Sequence, residues 1–320
     1  MFHSVESNGF MTFEQLLIFV AVAEREHLTQ AASAVGRTPS AVSASIKALE
    51  SYYGVELFHR VGRRIELTRV GRVFLGEAQA TLARVRSAET MLTELGGLRR
   101  GTLNVHASQT VASYWLPPVL MRFHRLYPGI SLKLTVGNTR MVADAMLEGV
   151  AEVGLVEGRV DEPALTVRRV DRDVMAVVVA PTHPWAAGKP LGAQDFLAGA
   201  SWIMREEGSG TRAAFENALA EMGVDPSTLD LVMEFPSNEA VLSAVRESGC
   251  AAAISMSAAG PLVERGLLKV ANIDLGARDF SLLRHRERRQ SGAATALEEL
   301  CAEAGNVFQS SMDPHIFPQP

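Results

Sequence analysis

Between residues 28 and 50 the apolar positions fall at Leu28, Ala31, Ala32 and Val35, the three-four spacing of one buried helical face. Gly36 ends that run, because glycine takes the backbone angles a helix end needs. Thr38 then predicts an N-cap, and Pro39 a first helical position, where its missing N–H costs nothing. In the second helix Val42, Ile46, Leu49 and Tyr53 form the expected inner face. The outer face is Ser40, Ser43, Ala44 and Lys47, short side chains plus one long cation. Such a face can lie in a groove without clashing. Two short helices, a tight turn and this outer face form the helix-turn-helix pattern for reading DNA. The same periodicity also suits a helical hairpin inside a larger core.

Upstream, Phe13, Leu16, Leu17 and Val20 predict one packed face of a first helix. Downstream, GVELFHRVGRRIELT reads as two short strands broken at Gly62, with His59, Arg60, Arg63 and Arg64 at the turn. A basic hairpin directly after a reading helix is expected to meet DNA phosphates; the alternative is a solvated turn. Thr68 caps a long helix reaching about Leu95. Gly71, Ala78, Val85 and Leu92 repeat every seven residues along it, beside a second line of Phe74, Ala88 and Leu95. That spacing predicts a coiled-coil seam with a second copy, at Phe74, Ala78, Val85 and Leu92. The alternative is a helix packed on its own chain. GGLRRG, residues 96–101, reads as a hinge.

From Thr102 short apolar strands alternate with helices, which predicts a parallel α/β sheet. Two such blocks imply two lobes around a cleft. The expected organisation is an α+β multidomain chain. Residues 1–68 form a mainly helical winged helix-turn-helix, and 69–100 a linker helix and hinge. Residues 101–320 form a two-lobed α/β domain, with lobe I at about 101–172 and 276–305 and lobe II at about 173–275.

Composition narrows the function. Of 320 residues, 47 % are apolar and 21 % charged, ordinary values for a globular chain. The net charge of −5 argues against a chain that coats nucleic acid throughout, yet allows one basic domain on an acidic body. Cys250 and Cys301 lack metal spacing, and the eight histidines are scattered. There is no nucleophile elbow, no phosphate-binding loop ending in Gly-Lys and no dinucleotide fingerprint. No enzyme, metal or cofactor is therefore expected. No apolar run approaches the roughly 20 residues of a membrane span, and the first ten residues lack a signal pattern. The expected compartment is a reducing cytoplasm.

The segment FEQLLIFVAVAEREHLTQAASAVGRTPSAVSASIKALESYYGVELFHRVGRRIELTRVG resembles the winged helix-turn-helix of the LysR-type transcriptional regulators along its whole length. The matching marks are Ala31-Ala32, Pro39 with Ala41-Val42-Ser43, Leu49-Glu50, Gly54, Leu57-Phe58, Arg60, Leu67-Thr68 and Gly71. VMAVVVAPTHPWA and LLRHRERRQSGAATAL are similar to that family's later segments. The resemblance implies a winged helix, a dimerising linker helix and a two-lobed effector domain like a periplasmic binding protein. It implies homodimers or homotetramers on double-stranded DNA, at an interrupted inverted repeat, with RNA polymerase as a candidate further partner. DNA contacts are expected from Thr38, Pro39, Ser40, Ser43, Lys47, Arg60, Arg63 and Arg64. Many members carry Gln where Ser40 or its neighbour stands, so the base preference stays open.

ASQTVASYWLP (residues 107–117) and REEGSGTR (residues 205–212) resemble the branch that controls carbon-fixation operons and sulfur assimilation. Those relatives respond to phosphorylated metabolites or sulfur oxyanions, and commonly carry Pro where Glu207 stands here. Two strand-to-helix junctions suit a small anion: Ser108-Gln109-Thr110 and Gly208-Ser209-Gly210-Thr211. Both offer backbone N–H groups, hydroxyls and the positive end of a helix dipole. Arg205, Asn138 and Glu157 complete the expected effector site, and Arg212 is read as a loop stabiliser. The alternative is that the hydroxyls merely cap helices. Two other functions compete with a ligand-controlled regulator: a stand-alone solute-binding protein, and a structural coiled-coil adaptor.

Overall fold

Thr12 starts the first helix through a capping box: its side chain accepts from Gln15 N, and the Gln15 side chain accepts from Thr12 N. The computed structural model describes residues 11–61, 64–95, 101–198 and 200–311. It divides into two units, Met1–Glu89 and Thr90–Pro320.

In the first unit α1 (Phe13–Arg25), α2 (Leu28–Ala34) and α3 (Pro39–Tyr53) precede a hairpin of β1 (Phe58–Val61) and β2 (Arg64–Leu67); α4 (Arg69–Leu95) follows, its last turns beyond the unit's end at Glu89. Thr38 caps α3 through a bond from Ala41 N, and Gly54 ends it at φ +65°. The hairpin is antiparallel, with Phe58 opposite Leu67 and His59 opposite Glu66. Leu16, Phe19, Val22, Ala31, Val42, Ile46, Leu49, Phe58 and Leu67 form the core. Phe19 is central, its ring centroid 5.4 Å from Phe58 and 4.7 Å from Phe74.

Three expected inner residues lie outside this core: Phe13, Leu17 and Tyr53 are 48 %, 37 % and 51 % exposed. Helix α1 is apolar almost all round and buries residues on most of its circumference, so periodicity alone does not select its face.

The seam on α4 also needs correction. Gly71 lies against the backbone before β1, where a Cβ would meet Leu57 O at 2.1 Å. Phe74 and Ala78, expected to meet a second copy, pack instead into their own chain's core, as does Leu82. Seven-residue spacing and the four-residue steps of a packed face share positions over two turns, so the two are indistinguishable there. Val85 is half-buried, and the Leu92 side chain lies outside the described residues.

The second unit holds β3 (Gly101–Ser108), α5 (Leu116–Leu126), β4 (Ile130–Gly137), α6 (Thr139–Glu148), β5 (Val153–Glu157) and β6 (Leu165–Val179). Then come α7 (Ala193–Ala198), β7 (Trp202–Arg205), α8 (Gly210–Glu221), β8 (Leu231–Phe235), α9 (Asn238–Arg246) and β9 (Ala251–Ser255). The elements α10 (Met256–Glu264), β10 (Lys269–Val270), β11 (Ala277–His285) and α11 (Gly292–Ser311) complete it. The strand order is β4-β3-β5-β11-β6-β9-β7-β8, with β10 also on β6.

The alternation of strands and helices builds both lobes, but the sheet is mixed rather than parallel. β3 is parallel to β4 and β5, and β7 to β8 and β9, whereas β11 and β6 run antiparallel to their neighbours. The long β6 pairs with β11 as far as Val174, then with β9 from Met175. It therefore passes from one lobe into the other. Apolar clusters cover both sheet faces in both lobes, as strands buried on two sides require.

Candidate functional site

On the first unit, Thr38, Pro39, Ser40 and Lys47 are exposed along α3, and Ser43 is half-buried. The Thr38 and Ser40 hydroxyls lie 3.1 Å apart. Arg37 is tied to Glu14 of α1, Nη2 to Oε1, at 2.7 Å. Arg63 lies outside the described residues, as do the side chains of Arg60 and Arg64. The hairpin's root has a partner that the sequence reading did not assign. Glu50, on α3, accepts from Leu57 N at 2.8 Å and Phe58 N at 3.1 Å. Hydrogen bonds to a charged group contribute about 1.5–3 kcal/mol, enough to join the start of the wing to the reading helix.

On the second unit, the expected effector residues gather where the lobes meet. Ser108, at the end of β3, and Thr110 both give their hydroxyls to the buried Glu157, at the end of β5: Ser108 to Oε2, Thr110 to Oε1 at 3.2 Å. Gln109 faces lobe II. Its Nε2 donates to Glu239 at 2.8 Å, and its Oε1 accepts from Asn238 N at 3.1 Å and Arg205 Nη1 at 3.2 Å. Asn238 Nδ2 donates to Thr110 Oγ1 at 3.0 Å.

Arg205 is buried and fully engaged. Besides Gln109 it gives Nη1 to Asn238 Oδ1 at 2.7 Å, Nε to Glu206 at 2.8 Å and Nη2 to Pro236 O at 3.3 Å. It thus ties the lobes together rather than standing free as a donor. Burial works against ionisation of Glu206, but the hydrogen bonds and charge of Arg205, with help from Asn138, hold its pKa below the usual carboxylate value. Tyr114, donating to Glu239 at 2.8 Å, is pushed well above its ordinary value by burial and by that carboxylate.

Asn138 caps α6, accepting from Met141 N at 3.0 Å, and its Nδ2 reaches Glu206 and Glu207 O at 3.3 Å. Arg140 N donates to Gly208 O at 3.2 Å, and its guanidinium pairs with Glu207 at 3.0 Å. Ser209 caps α8, accepting from Thr211 N at 3.2 Å. Gly210 is a point of close approach between the lobes: a Cβ there would lie 2.1 Å from Glu157 O and 2.6 Å from Thr139 Oγ1. Arg212 pairs with Glu216 at 2.7 Å and with Glu234, both in lobe II.

Beneath this layer lies a buried charge cluster on the crossing strands. Asp173 of β6 accepts from Ser255 at 2.8 Å, Ser257 at 3.0 Å and Arg278 Nε at 2.9 Å. Arg278 Nη1 donates to Thr211 Oγ1 at 2.9 Å and stands 3.9 Å from Glu157 Oε1. Arg278, Asp173, Asn238 and Glu239 were absent from the sequence reading. Asn238 alone had a visible signal, its place at a helix start. Among the described residues no group of three or more His, Cys, Asp or Glu could hold a metal, and no helix is long and apolar enough to cross a membrane.

A helix-turn-helix with a wing, followed by a two-lobed α/β unit, defines a DNA-binding regulator governed by a small molecule. Residues 13–72 match the family model described as "Bacterial regulatory helix-turn-helix protein, lysR family", and residues 96–306 match "LysR substrate binding domain". The chain belongs to the LysR family of transcriptional regulators. It is 31 % identical over 296 residues to the uncharacterized HTH-type transcriptional regulator YeiE of Escherichia coli strain K12, covering 92 % of this chain and 98 % of that one. It is also 31 % identical to a probable RuBisCO transcriptional regulator of Phaeodactylum tricornutum, covering 88 % and 93 %. In fold it is similar to full-length CbnR complexed with its target DNA, with TM-score 0.64, 22 % identity and coverage of 92 % and 100 %. It is a DNA-binding regulator with an effector domain and is not an enzyme.

Proposed function

We propose that this regulator is controlled by a small oxyanion bound between the lobes, within the carbon-fixation and sulfur-assimilation branch, in the cytoplasm. The observation that carries the ligand class is the gathering of Ser108, Gln109, Thr110, Asn138, Ser209, Gly210 and Thr211 at the carboxyl ends of β3, β4, β5 and β7, beside the N-termini of α6 and α8. Open α/β sheets bind ligands at that edge, and helix N-termini favour anions. The hydroxyl and amide donors there already hold carboxylates of the chain itself, Glu157, Glu206 and Glu239. A ligand that exchanges for any of these contacts shifts the balance between lobe arrangements, which is how an effector acts. Two buried cysteines, neither in a disulfide, suit a reducing compartment. Calorimetric titration of the full chain with sulfate, thiosulfate, inorganic phosphate, phosphoenolpyruvate and ribulose bisphosphate is the test. Binding is expected for at least one anion and is lost in Thr110→Val; a preference for uncharged or aromatic ligands refutes the ligand class.

For DNA, the reading residues are Thr38, Pro39, Ser40, Ser43 and Lys47, with Arg60, Arg63 and Arg64 on the wing. The exposed Lys47 supports this assignment. Lys47→Ala is expected to lower the slope of log affinity against log salt by about one unit, as the loss of one phosphate contact does. An unchanged slope in a mobility-shift titration removes Lys47 from the interface.

The dimer contact on α4 is assigned to Val85 and Leu92, beyond the turns that Phe74, Ala78 and Leu82 commit to their own core. Losing a large apolar side chain from a buried seam costs roughly 2–5 kcal/mol. A Val85→Asp, Leu92→Asp variant is expected to sediment as a smaller species at micromolar concentration; an unaltered oligomer places the interface elsewhere.

A further inference from the structure

At the centre of the donor cluster sits a carboxylate, Glu157, 1 % exposed. Ser108 and Thr110, both 0 % exposed, spend their only hydroxyl hydrogens on it. Its own carbonyl is taken by Thr139 Oγ1 at 2.9 Å. Behind it stands Arg278, 6 % exposed, with Nη1 3.9 Å from Glu157 Oε1. That guanidinium is already shared with Asp173, 2 % exposed, whose Oδ2 lies 2.8 Å from Nη2. The contact is outside hydrogen-bonding geometry, and Nη2 has no hydrogen-bond acceptor. The buried cluster thus sets two carboxylates against one guanidinium. The nearby pair of Arg205 and Glu206 balances itself, and Glu239 is held by Gln109 and Tyr114.

An anion that takes the Ser108 and Thr110 hydroxyls would face Glu157 across a few ångströms with acceptors on both sides. Like charges so close in a dry site repel strongly, and neither has a hydrogen to offer the other. A hydrogen on the ligand removes the conflict. It donates to Glu157, while the remaining ligand oxygens accept from the Ser108 and Thr110 hydroxyls.

We propose that Glu157 is the specificity-determining residue of the interlobe site, restricting it to oxyanions that carry a hydrogen, either an acid proton or an adjacent hydroxyl, and rejecting fully ionised anions of the same shape. This rests on the anion reading above. A phosphate monoester or hydrogen phosphate satisfies the rule near neutral pH only where a proton or hydroxyl faces Glu157; sulfate never does.

The probes are inorganic phosphate and sulfate, tetrahedral ions of similar size that differ in the proton. Titration calorimetry of the full-length protein at neutral pH is expected to give phosphate at least a tenfold advantage over sulfate. In Glu157→Gln, whose amide donates to either ion, the advantage is expected to fall below threefold through a gain in sulfate affinity. Ser108→Ala should weaken both ions and leave their ratio intact. Equal binding of the two ions by the native chain, or an undiminished phosphate preference in Glu157→Gln, overturns the proposal while the anion site stands. Failure of both ions to bind native protein and variant overturns this proposal and the inorganic-oxyanion reading together. The ratio in the native chain needs no substitution, so a Glu157→Gln protein that fails to fold leaves the test in force.

Discussion

Asp173→Ala is expected to destabilise the Thr90–Pro320 unit by roughly 3–5 kcal/mol, the cost of stranding a buried charge without its partner. Asp173 is 2 % exposed and is held by Ser255, Ser257 and Arg278. Its loss leaves the Arg278 guanidinium facing Thr211 Oγ1 and, at 3.9 Å, Glu157 alone. Urea unfolding followed by tryptophan fluorescence isolates the effect, because all three tryptophans, Trp115, Trp185 and Trp202, belong to this unit. The double variant Asp173→Ala, Arg278→Ala should lose less than the sum of the two singles, with a coupling of at least about 1 kcal/mol. Additive losses would show that the pair acts as two independent polar residues. The position matters for regulation as well as stability. Asp173 sits on β6, the strand shared between lobes, and Arg278, on the neighbouring β11, touches residues of both.

Gly210→Ala should separate the lobes. In an ordinary helix the change is favourable by about 0.5–1 kcal/mol, since alanine is the better helix former. At this position, though, the new Cβ would lie 2.1 Å from Glu157 O and 2.6 Å from Thr139 Oγ1, so backbone must move. Overpacking of that kind costs roughly 1–3 kcal/mol. The hydrogen bond from Arg140 N to Gly208 O crosses the same junction at 3.2 Å and reports on it. Its amide should exchange with deuterium about 5- to 150-fold faster in the variant, the same energy expressed as a ratio. Gly260→Ala, in α10 with open space around its Cβ position, is the control and should leave Arg140 unchanged. Equal exchange in native protein and Gly210→Ala would mean that the junction accommodates a methyl group without opening.

Helix starts were the most legible features of the sequence. Thr38 and Thr68 stand out because a cap is decided by partners within three residues, Ala41 N and Gly71 N; Asn138 and Ser209, read as effector residues, also cap helices through Met141 N and Thr211 N. The wing, the strand-helix alternation and the family resemblance were readable for the same reason, since each is written in adjacent residues. Tertiary structure alone decided which side of the nearly all-apolar α1 is buried, and whether Phe74 and Ala78 face a partner or their own core. It alone made the sheet mixed, because a strand's direction depends on where its crossover lands. In the cleft, local reading found the hydroxyls but not what they hold. Ser108 and Glu157 are 49 residues apart, Arg278 and Asp173 are 105 apart, and Thr110 and Asn238 are 128 apart. No spacing rule links such positions. Their partnership exists only once β6 and β11 carry the chain between lobes and the close approach at Gly210 brings the strand ends together.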